Sequence, residues 1–203
     1  MVHYKLSYFD TRGIGEAIRL LFKYAKVDFE DHRFTRDQWA AIKPTTPAGK
    51  VPILEFDGTT LVESAAISRY LARKFGLAGK DDLEQAKVDA IVDQNKDFFF
   101  KTIPWLVVKL GMEKGNEEEL KKTKLIPEAD IYLPLYVKYL KESGSGFLVK
   151  SGVTFADFVI SEFLVTLRQN APEVIEKYPD LIKYLDRLKN LPQLKEYYAS
   201  RKE

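Results

Sequence analysis

The first 76 residues alternate between the hydrophobic patterns of strands and those of helices. Residues 2–9 alternate apolar and polar side chains, which predicts a strand, whereas residues 14–26 repeat apolar side chains at helical spacing. Residues 27–34 form a second predicted strand. The segment from Thr35 to Gln38 has the spacing of a capping box, which predicts that a short helix begins there.

A hairpin and a third helix are predicted from the stretch KVPILEFDGTTLVES, residues 50–64. Its apolar residues favour a half-buried strand, although Pro52 cannot donate a hydrogen bond to a sheet ladder. Asp57-Gly58 is a strong hairpin-turn signal, and a helical pattern follows from Ser64 to Phe75. The predicted order of elements in this part of the chain is β-α-β-α-β-β-α.

The rest of the chain is predicted to be helical. A side-chain cap at Thr154 and Asp157 starts one helix, and Pro179 interrupts another. The helical patterns cover about 82–110, 117–142, 154–168, 173–190 and 192–200. We therefore predict an α/β domain at residues 1–76, a linker at 77–81 and an all-helical domain at 82–203.

Composition excludes several classes of function. The 203 residues include 32 Lys and Arg against 30 Asp and Glu, a balance that argues against binding to nucleic acid or to a membrane surface. The absence of cysteine excludes thiolate metal sites and the redox pair of a thioredoxin, and two scattered histidines cannot form a metal cluster. No apolar run resembles a signal peptide or a membrane span, so we expect a cytoplasmic protein.

The Glu63-Ser64 pair, at the predicted start of the third helix, has two interpretations. With Ser64 as the N-cap, its side chain and the free amides of the first turn can hold an anion, while Glu63 attracts an ammonium group. A ligand with an α-amino acid head would satisfy both. The alternative is an ordinary N-cap beside a solvated glutamate.

Tyr8 and Pro52 also leave alternatives open. Tyr8 ends the first strand, where open α/β sheets place their ligand sites, and its phenol could donate a hydrogen bond to a bound thiolate. The alternative is a core or edge aromatic residue. The Val51–Pro52 bond could be trans at an ordinary strand start. If it is cis, the Val51 backbone faces outward and could pair with an extended peptide ligand.

Two features of the first long helix carry weaker signals. Asp93 and Asp97 lie four residues apart on one face, either as a solvated acidic stripe or as part of a site. The segment from Phe98 to Trp105 has more apolar bulk than one buried face needs. Some of its side chains should therefore face an apolar pocket or a partner subunit.

Taken together, these positions resemble the cytosolic glutathione transferases, and most closely their sigma class as found in invertebrates. The resemblance extends over essentially the whole chain, and it rests on the joint order and spacing of the motifs. The matching motifs are YKLSYF ending near Tyr8, Arg12-Gly13, Glu16, Trp39, Lys43, PAGKVPILEFDG, Glu63-Ser64, AISRYLARKFGLAG, DAIVDQ, Asp97 and VTFADF.

The resemblance implies a glutathione transferase fold, with an α/β thioredoxin-like N-terminal domain and an all-α C-terminal domain. The implied activity is conjugation of reduced glutathione, as a co-substrate, to hydrophobic electrophiles in detoxification, with no metal and no other cofactor. Tyr8 would be the catalytic residue that hydrogen-bonds the glutathione sulfur. The implied glutathione-binding residues are Trp39, Lys43, Lys50, Val51, Pro52 in the cis form, Glu63, Ser64 and Asp97.

The resemblance also implies an acceptor pocket and a homodimer, in which Asp97 reaches the glutathione bound to the other subunit. The implied acceptor-pocket residues are Gly13, Ile14, Phe99 and Trp105. Two alternatives stay within the family. One is a ligand-binding or structural member of low activity, and the other is a prostaglandin-type isomerase or a glutathione peroxidase.

Three positions depart from the family pattern. Ile14 stands where sigma-class enzymes often carry an arginine, which predicts weaker thiolate stabilisation or a greater role for Arg12. Glu63 replaces the usual glutamine and should change the electrostatics of the glutathione site without preventing binding. Ala48 replaces a usual phenylalanine, which bears on the packing of the groove and of the dimer.

Overall fold

The computed structural model of the chain describes residues 2–201, which form two compact units. The first unit contains the residues up to Ala78 together with the segment from Lys189 onward. The second unit is Gly79–Leu188. The predicted helical domain extended to residue 203, whereas the structure groups the last segment with the first unit.

The first unit has the predicted order of strands and helices. Its core contains fully buried Leu6, Leu21 and Leu54, and α1 and α3 pack against each other. Short 3-10 turns precede α1 and follow α2, at Gly13–Gly15 and Lys43–Thr45. The main elements are β1 Tyr4–Phe9, α1 Glu16–Ala25, β2 Phe29–Phe34, α2 Trp39–Ile42, β3 Ile53–Phe56, β4 Thr59–Val62 and α3 Ser64–Phe75.

The four strands form one mixed sheet in the order β2-β1-β3-β4. Strand β1 pairs in parallel with β2 and antiparallel with β3, and β3 pairs antiparallel with β4. The predicted hairpin turn is confirmed. Asp57 and Gly58 have φ values of 45° and 73°, as a two-residue turn matched to the strand twist requires.

The second unit is helical within its described residues, as predicted. The predicted helix at 117–142 is divided by a π-helical turn at Lys121–Leu125, just before Pro127, whose missing N–H interrupts the regular ladder. The predicted cap at Thr154 is confirmed as a capping box with Asp157. The helices are α4 Asp82–Lys109, α5 Glu117–Leu120, α6 Ile126–Ser143, α7 Phe155–Asn170, α8 Pro172–Ile175 and α9 Pro179–Lys189.

The last helix, α10 Lys195–Ser200, belongs to the first unit. Tyr197 on this helix donates a hydrogen bond to the Glu16 carboxylate at 2.8 Å. Arg201, the residue after the helix, donates a hydrogen bond to the same carboxylate oxygen at 3.1 Å. These contacts with α1 explain why the C-terminal segment groups with the α/β part of the chain.

Candidate active site

The strand register brings several predicted site residues to one edge of the sheet. Ser7 on β1 is paired with Ile53 on β3, and Ile53 is also paired with Val62 on β4. Continuing both antiparallel registers by one residue places Tyr8 and Glu63 on either side of Pro52. This edge therefore holds the predicted catalytic residue and two of the predicted glutathione contacts.

Tyr8 is held closely by the chain segment that follows β1. Its side chain is buried, and its hydroxyl oxygen accepts a hydrogen bond from the Ile14 backbone N–H at 3.2 Å. A Cβ atom at Gly13 would lie 2.5 Å from this hydroxyl, and one at Gly15 would lie 2.4 Å from ring atom Cδ1. The absence of a side chain at both glycines thus makes room for the tyrosine side chain.

The surroundings of Tyr8 keep its phenol protonated. Burial raises the pKa of Tyr8 above its ordinary value, although the Ile14 N–H and the positive charges of Arg19 and Arg36 oppose this shift. Because the oxygen already accepts a hydrogen bond from Ile14, its own proton remains available to a second partner. A buried neutral phenol in this arrangement can donate a hydrogen bond to an anion.

The Val51–Pro52 peptide bond is cis, as the resemblance predicted. The paired residues of β3 begin at Ile53, so Val51 lies outside the strand ladders. Its side chain is half-buried, whereas Pro52 is buried. The Val51 backbone therefore lies at the sheet edge beside Tyr8.

Glu63 and Ser64 form the junction between β4 and α3. The prediction that Ser64 is the N-cap is wrong by one residue, because the N-cap is Glu63 and Ser64 is the first residue of α3. Glu63 is exposed and has a φ of 69°, which is unusual for a residue other than glycine. Such backbone strain costs about 1–3 kcal/mol and is concentrated at functional sites in proteins. The junction offers an exposed carboxylate next to the amides of a helix N-terminus.

An aromatic cluster connects Tyr8 to the predicted site for the glycyl end of glutathione. The Tyr8 and Phe9 rings are 5.6 Å apart between centroids, and the Phe9 and Trp39 rings are 5.3 Å apart. Trp39 also stacks on Phe34 with an interplanar angle of 6°. Contacts through the Phe9 ring therefore hold Trp39, at the start of α2, close to Tyr8.

Two lysines predicted at this site are exposed. The Lys43 side chain extends along Gly49, where an added Cβ would lie 3.4 Å from the lysine Cε. Gly49 has a φ of 60°, so the loop between α2 and β3 turns at a position that suits glycine. Lys43 and Lys50 both present ammonium groups to solvent from this loop.

Three further predicted site residues lie in the second unit, on α4. Asp97 is exposed, and Phe99 is half-buried with its ring 5.4 Å from that of Phe163. Trp105, in contrast, is fully buried, so it presents no surface to a ligand and belongs to the core of this unit. An aromatic residue in a long apolar run carries no signal that separates a core position from a pocket position.

Sequence reasoning missed three residues that shape the Tyr8 environment. These are Gly15, which packs against the ring, and the buried ion pair formed by Glu16 and Arg19. Their spacing of three residues indicates that Glu16 and Arg19 can pair on one side of α1, but it carries no signal that the pair is buried. Within residues 2–201 we find no helix long and apolar enough to span a membrane, and no acidic or histidine cluster that could hold a metal ion.

Two family models match the chain. The model described as the glutathione S-transferase N-terminal domain matches residues 4–73, and that of the C-terminal domain matches residues 96–201. Together the two matches cover most of the chain. The chain belongs to the glutathione S-transferase family. It is accordingly an enzyme of that family, with the mixed sheet and helical unit typical of the glutathione transferase fold.

Nematode glutathione transferases are similar over nearly the full length. Glutathione S-transferase 1 of Ascaris suum is 46% identical over 201 residues, which cover 99% of this chain and 98% of that protein. The structure of a Nu-class glutathione transferase from Haemonchus contortus has a TM-score of 0.90 and 40% identity, covering 100% of this chain and 98% of that one.

A third relative bears on oligomeric state. The structure of monomeric Na-GST-3, a glutathione transferase from Necator americanus, has a TM-score of 0.93 and 38% identity, covering 99% of this chain and 98% of that one. The similar structures thus include a Nu-class enzyme and a monomeric one, so neither the sigma class nor dimerisation follows from membership of the glutathione transferase family alone.

Proposed function

We propose that this glutathione transferase conjugates reduced glutathione to hydrophobic electrophiles, and that Tyr8 stabilises the glutathione thiolate. The observation that carries the proposal is the geometry of Tyr8, a buried phenol whose oxygen is held by the Ile14 N–H, in surroundings whose burial raises its pKa and so favours the protonated form. The glutathione thiol would release its proton to solvent. Its sulfur would then form a bond to the electrophilic carbon while accepting the Tyr8 hydrogen bond, and with an aryl halide the halide ion would leave to solvent.

The size of the effect follows from the hydrogen bond. A hydrogen bond to a charged group contributes about 1.5–3 kcal/mol, and one pKa unit corresponds to about 1.4 kcal/mol. Donation by Tyr8 would therefore lower the thiol pKa by about one to two units from a free value of about 8.5. At pH 7 this shift would raise the thiolate fraction, and hence the conjugation rate, about 8- to 25-fold.

The rest of glutathione would be bound along the same sheet edge. The Val51 backbone, beyond the paired residues of β3, would pair with the cysteinyl unit. Glu63 would attract the γ-glutamyl ammonium, and the first amides of α3 at Ser64 would bind the carboxylate of that amino-acid head. The remaining residues assigned to the glycyl end are Trp39, Lys43 and Lys50.

The electrophile would lie beside Gly13 and Ile14. The Ile14 backbone N–H contacts the Tyr8 oxygen, and the Ile14 side chain is 40% exposed, which offers apolar surface next to the reacting sulfur. In the second unit, half-buried Phe99 stays a predicted acceptor contact. The alternative of a low-activity ligand-binding or structural member is an outcome of the conjugation assay, whereas the prostaglandin-type isomerase and the peroxidase stay predictions from the resemblance.

A homodimer would complete the glutathione site by contributing Asp97 of the other subunit, which would contact the γ-glutamyl ammonium. The exposure of Asp97 supports this role. Sedimentation equilibrium would give a mass of twice the 23.4 kDa chain if the dimer forms, and a monomeric mass would contradict it. The sigma class, the detoxification role and a cytoplasmic location stay predictions from the sequence.

A conjugation assay with a chromogenic aryl halide tests the proposed role of Tyr8. Tyr8→Phe keeps the ring against Gly15 but removes the donor, so kcat/KM at pH 7 should fall about 8- to 25-fold. Tyr139→Phe is a matched control in the second unit, because it also removes one tyrosine hydroxyl, which donates to Gln94 at 2.7 Å. This control should retain its activity.

Two results would count against the proposal. If the purified protein shows no glutathione-dependent rate above background, the conjugating activity is absent and the ligand-binding alternative is preferred. If Tyr8→Phe retains the full rate, the chain conjugates glutathione but Tyr8 does not stabilise the thiolate.

A further inference from the structure

A buried network of charged residues connects helix α1 to the turn that follows β1, to β2 and to the C-terminal segment. Glu16 and Arg19, one helical turn apart, form an ion pair at 3.0 Å, with side chains that are 2% and 0% exposed. Arg19 also pairs with Asp31 on β2 at 3.0 Å. Burial of charged groups is costly unless they are fully paired, so this network holds its members in a defined geometry.

Arg19 binds the backbone that immediately follows Tyr8. Its guanidinium donates to the Thr11 carbonyl oxygen at 2.7 Å and to the Phe9 carbonyl oxygen at 3.1 Å. It also lies 5.7 Å from the centre of the Tyr8 ring. Arg19 therefore fixes the turn at residues 9–11, which joins Tyr8 to the segment that supplies the Ile14 N–H.

Glu16 connects this turn to the C-terminal segment. Its Oε2 atom accepts from Arg19, while its Oε1 atom accepts from the Tyr197 hydroxyl at 2.8 Å and from the Arg201 guanidinium at 3.1 Å. Burial and the nearby Glu16 carboxylate raise the pKa of Tyr197, so its hydroxyl stays a donor. The two oxygens of one carboxylate thus bridge residues that are about 180 positions apart in the sequence.

We propose that Glu16 is a positioning residue for Tyr8, and that Tyr197 and Arg201 act through Glu16 and Arg19 to orient the tyrosine. This inference rests on the proposed function of Tyr8 and extends it to the C-terminal segment. Without the two C-terminal donors, the Glu16 carboxylate can rotate, and the Arg19 guanidinium keeps Asp31 as its one fixed carboxylate partner. The turn at residues 9–11 then relaxes, and the Tyr8 hydroxyl moves relative to the glutathione sulfur.

Substitution of the two donors tests this coupling with little change in volume. Tyr197→Phe keeps the ring against Lys23, and Arg201→Gln keeps a polar side chain. We expect each variant to lower kcat/KM for conjugation about three- to tenfold and the double variant to lower it further, because small displacements of a catalytic group reduce rates strongly. Tyr139→Phe also removes one tyrosine hydroxyl, but from the second unit. This variant should change kcat/KM by less than about twofold.

The ionisation of bound glutathione separates positioning from a general loss of stability. The thiolate absorbs in the near ultraviolet, so titration of the complex with pH gives the thiol midpoint directly. In Tyr197→Phe this midpoint should rise toward that of free glutathione, and in Tyr139→Phe it should not move. If neither Tyr197→Phe nor the double variant with Arg201→Gln shifts the midpoint, the proposed positioning role is wrong.

A double-mutant cycle with Tyr8→Phe shows whether the effect passes through Tyr8. In the Tyr8→Phe background, Tyr197→Phe should change kcat/KM by less than about twofold, because the group it positions is already absent. An equal loss in both backgrounds would overturn the coupling. If Tyr8→Phe itself has no effect, the proposed function of Tyr8 fails instead, so the two failures are distinguishable.

Discussion

The close approach of Gly15 to Tyr8 leads to a prediction that separates activity from stability. Gly15 has an ordinary helical backbone, with φ of −83° and ψ of −21°, so alanine can adopt its conformation. Substitution of Gly15→Ala therefore adds one methyl group and leaves the backbone unstrained. That methyl group, however, would lie 2.4 Å from Cδ1 and 2.6 Å from Cγ of the Tyr8 ring.

The geometry gives the expected magnitudes. Ordinary contact begins at 3.4 Å, so the ring and the new Cβ must separate by about 1.0 Å. Reduced unfolded-state entropy stabilises the variant by about 0.4–1 kcal/mol, whereas overpacking costs about 1–3 kcal/mol, which leaves a net loss of about 0–2.6 kcal/mol, centred near 1.3 kcal/mol. A displacement of about 1 Å at a catalytic group lowers the rate about 100-fold, equivalent to about 2.7 kcal/mol of transition-state stabilisation.

Steady-state conjugation and urea denaturation of the same preparations measure both effects. Gly115→Ala is the matched control, because this glycine also lacks a positive φ and its new Cβ would lie 2.8 Å from a side-chain methyl group, that of Val108, with Leu120 at an ordinary 3.5 Å. The control should keep its kcat/KM within about twofold of the unmodified protein. If Gly15→Ala is as active as the control, or more stable than the unmodified protein, then Gly15 does not hold the Tyr8 ring in place.

Three further predictions concern separate parts of the chain. Glu63→Gly should raise the free energy of unfolding by about 1 kcal/mol, because glycine tolerates the φ of 69°. The same variant should have a higher KM for glutathione, because it lacks the carboxylate. An unchanged KM would exclude Glu63 from the site. Because burial raises the pKa of Tyr8 above its ordinary value, the pH profile of kcat/KM should ascend with thiol ionisation and show no descending limb at or below the ordinary tyrosine pKa of about 10. Stopped-flow rates would reveal such a limb if Tyr8 ionised earlier. Asp157→Ala should destabilise the second unit by about 3 kcal/mol or more, measured by urea denaturation, because it leaves the buried Thr154 and Leu148 N–H groups without their acceptor; a loss below about 1 kcal/mol would contradict this.

Elements that depend only on residues adjacent in the sequence were predictable from the sequence. The hairpin at Asp57-Gly58 follows from the preference of these residues for positive φ, and α3 spans the predicted residues Ser64–Phe75. The helix cap formed by Thr154 and Asp157 follows from their spacing of three residues. Each of these features is decided within a few positions of the chain, so local pattern is sufficient to identify it.

The candidate site was predictable only where family motifs mark its residues. Tyr8 and Glu63 were identified by their place in those motifs, and the sheet register brings them to one edge. The position of the N-cap at Glu63 was missed by one residue, because a glutamate at positive φ is disfavoured locally and is held by the surrounding structure. The burial of Trp105 was also missed, since apolar bulk alone does not reveal which side of a helix is covered.

The sequence by itself determined the strands, the main helices and the hairpin turn of this protein, because their periodicity and turn preferences are local properties. Only the tertiary structure decided that Gly15 packs against the Tyr8 ring and that Glu16 meets Tyr197. These contacts join residues whose separation along the chain carries no periodic signal. They form because the folded chain returns to α1 at its C-terminal end, where a buried carboxylate requires hydrogen-bond donors that its own helix does not fully supply.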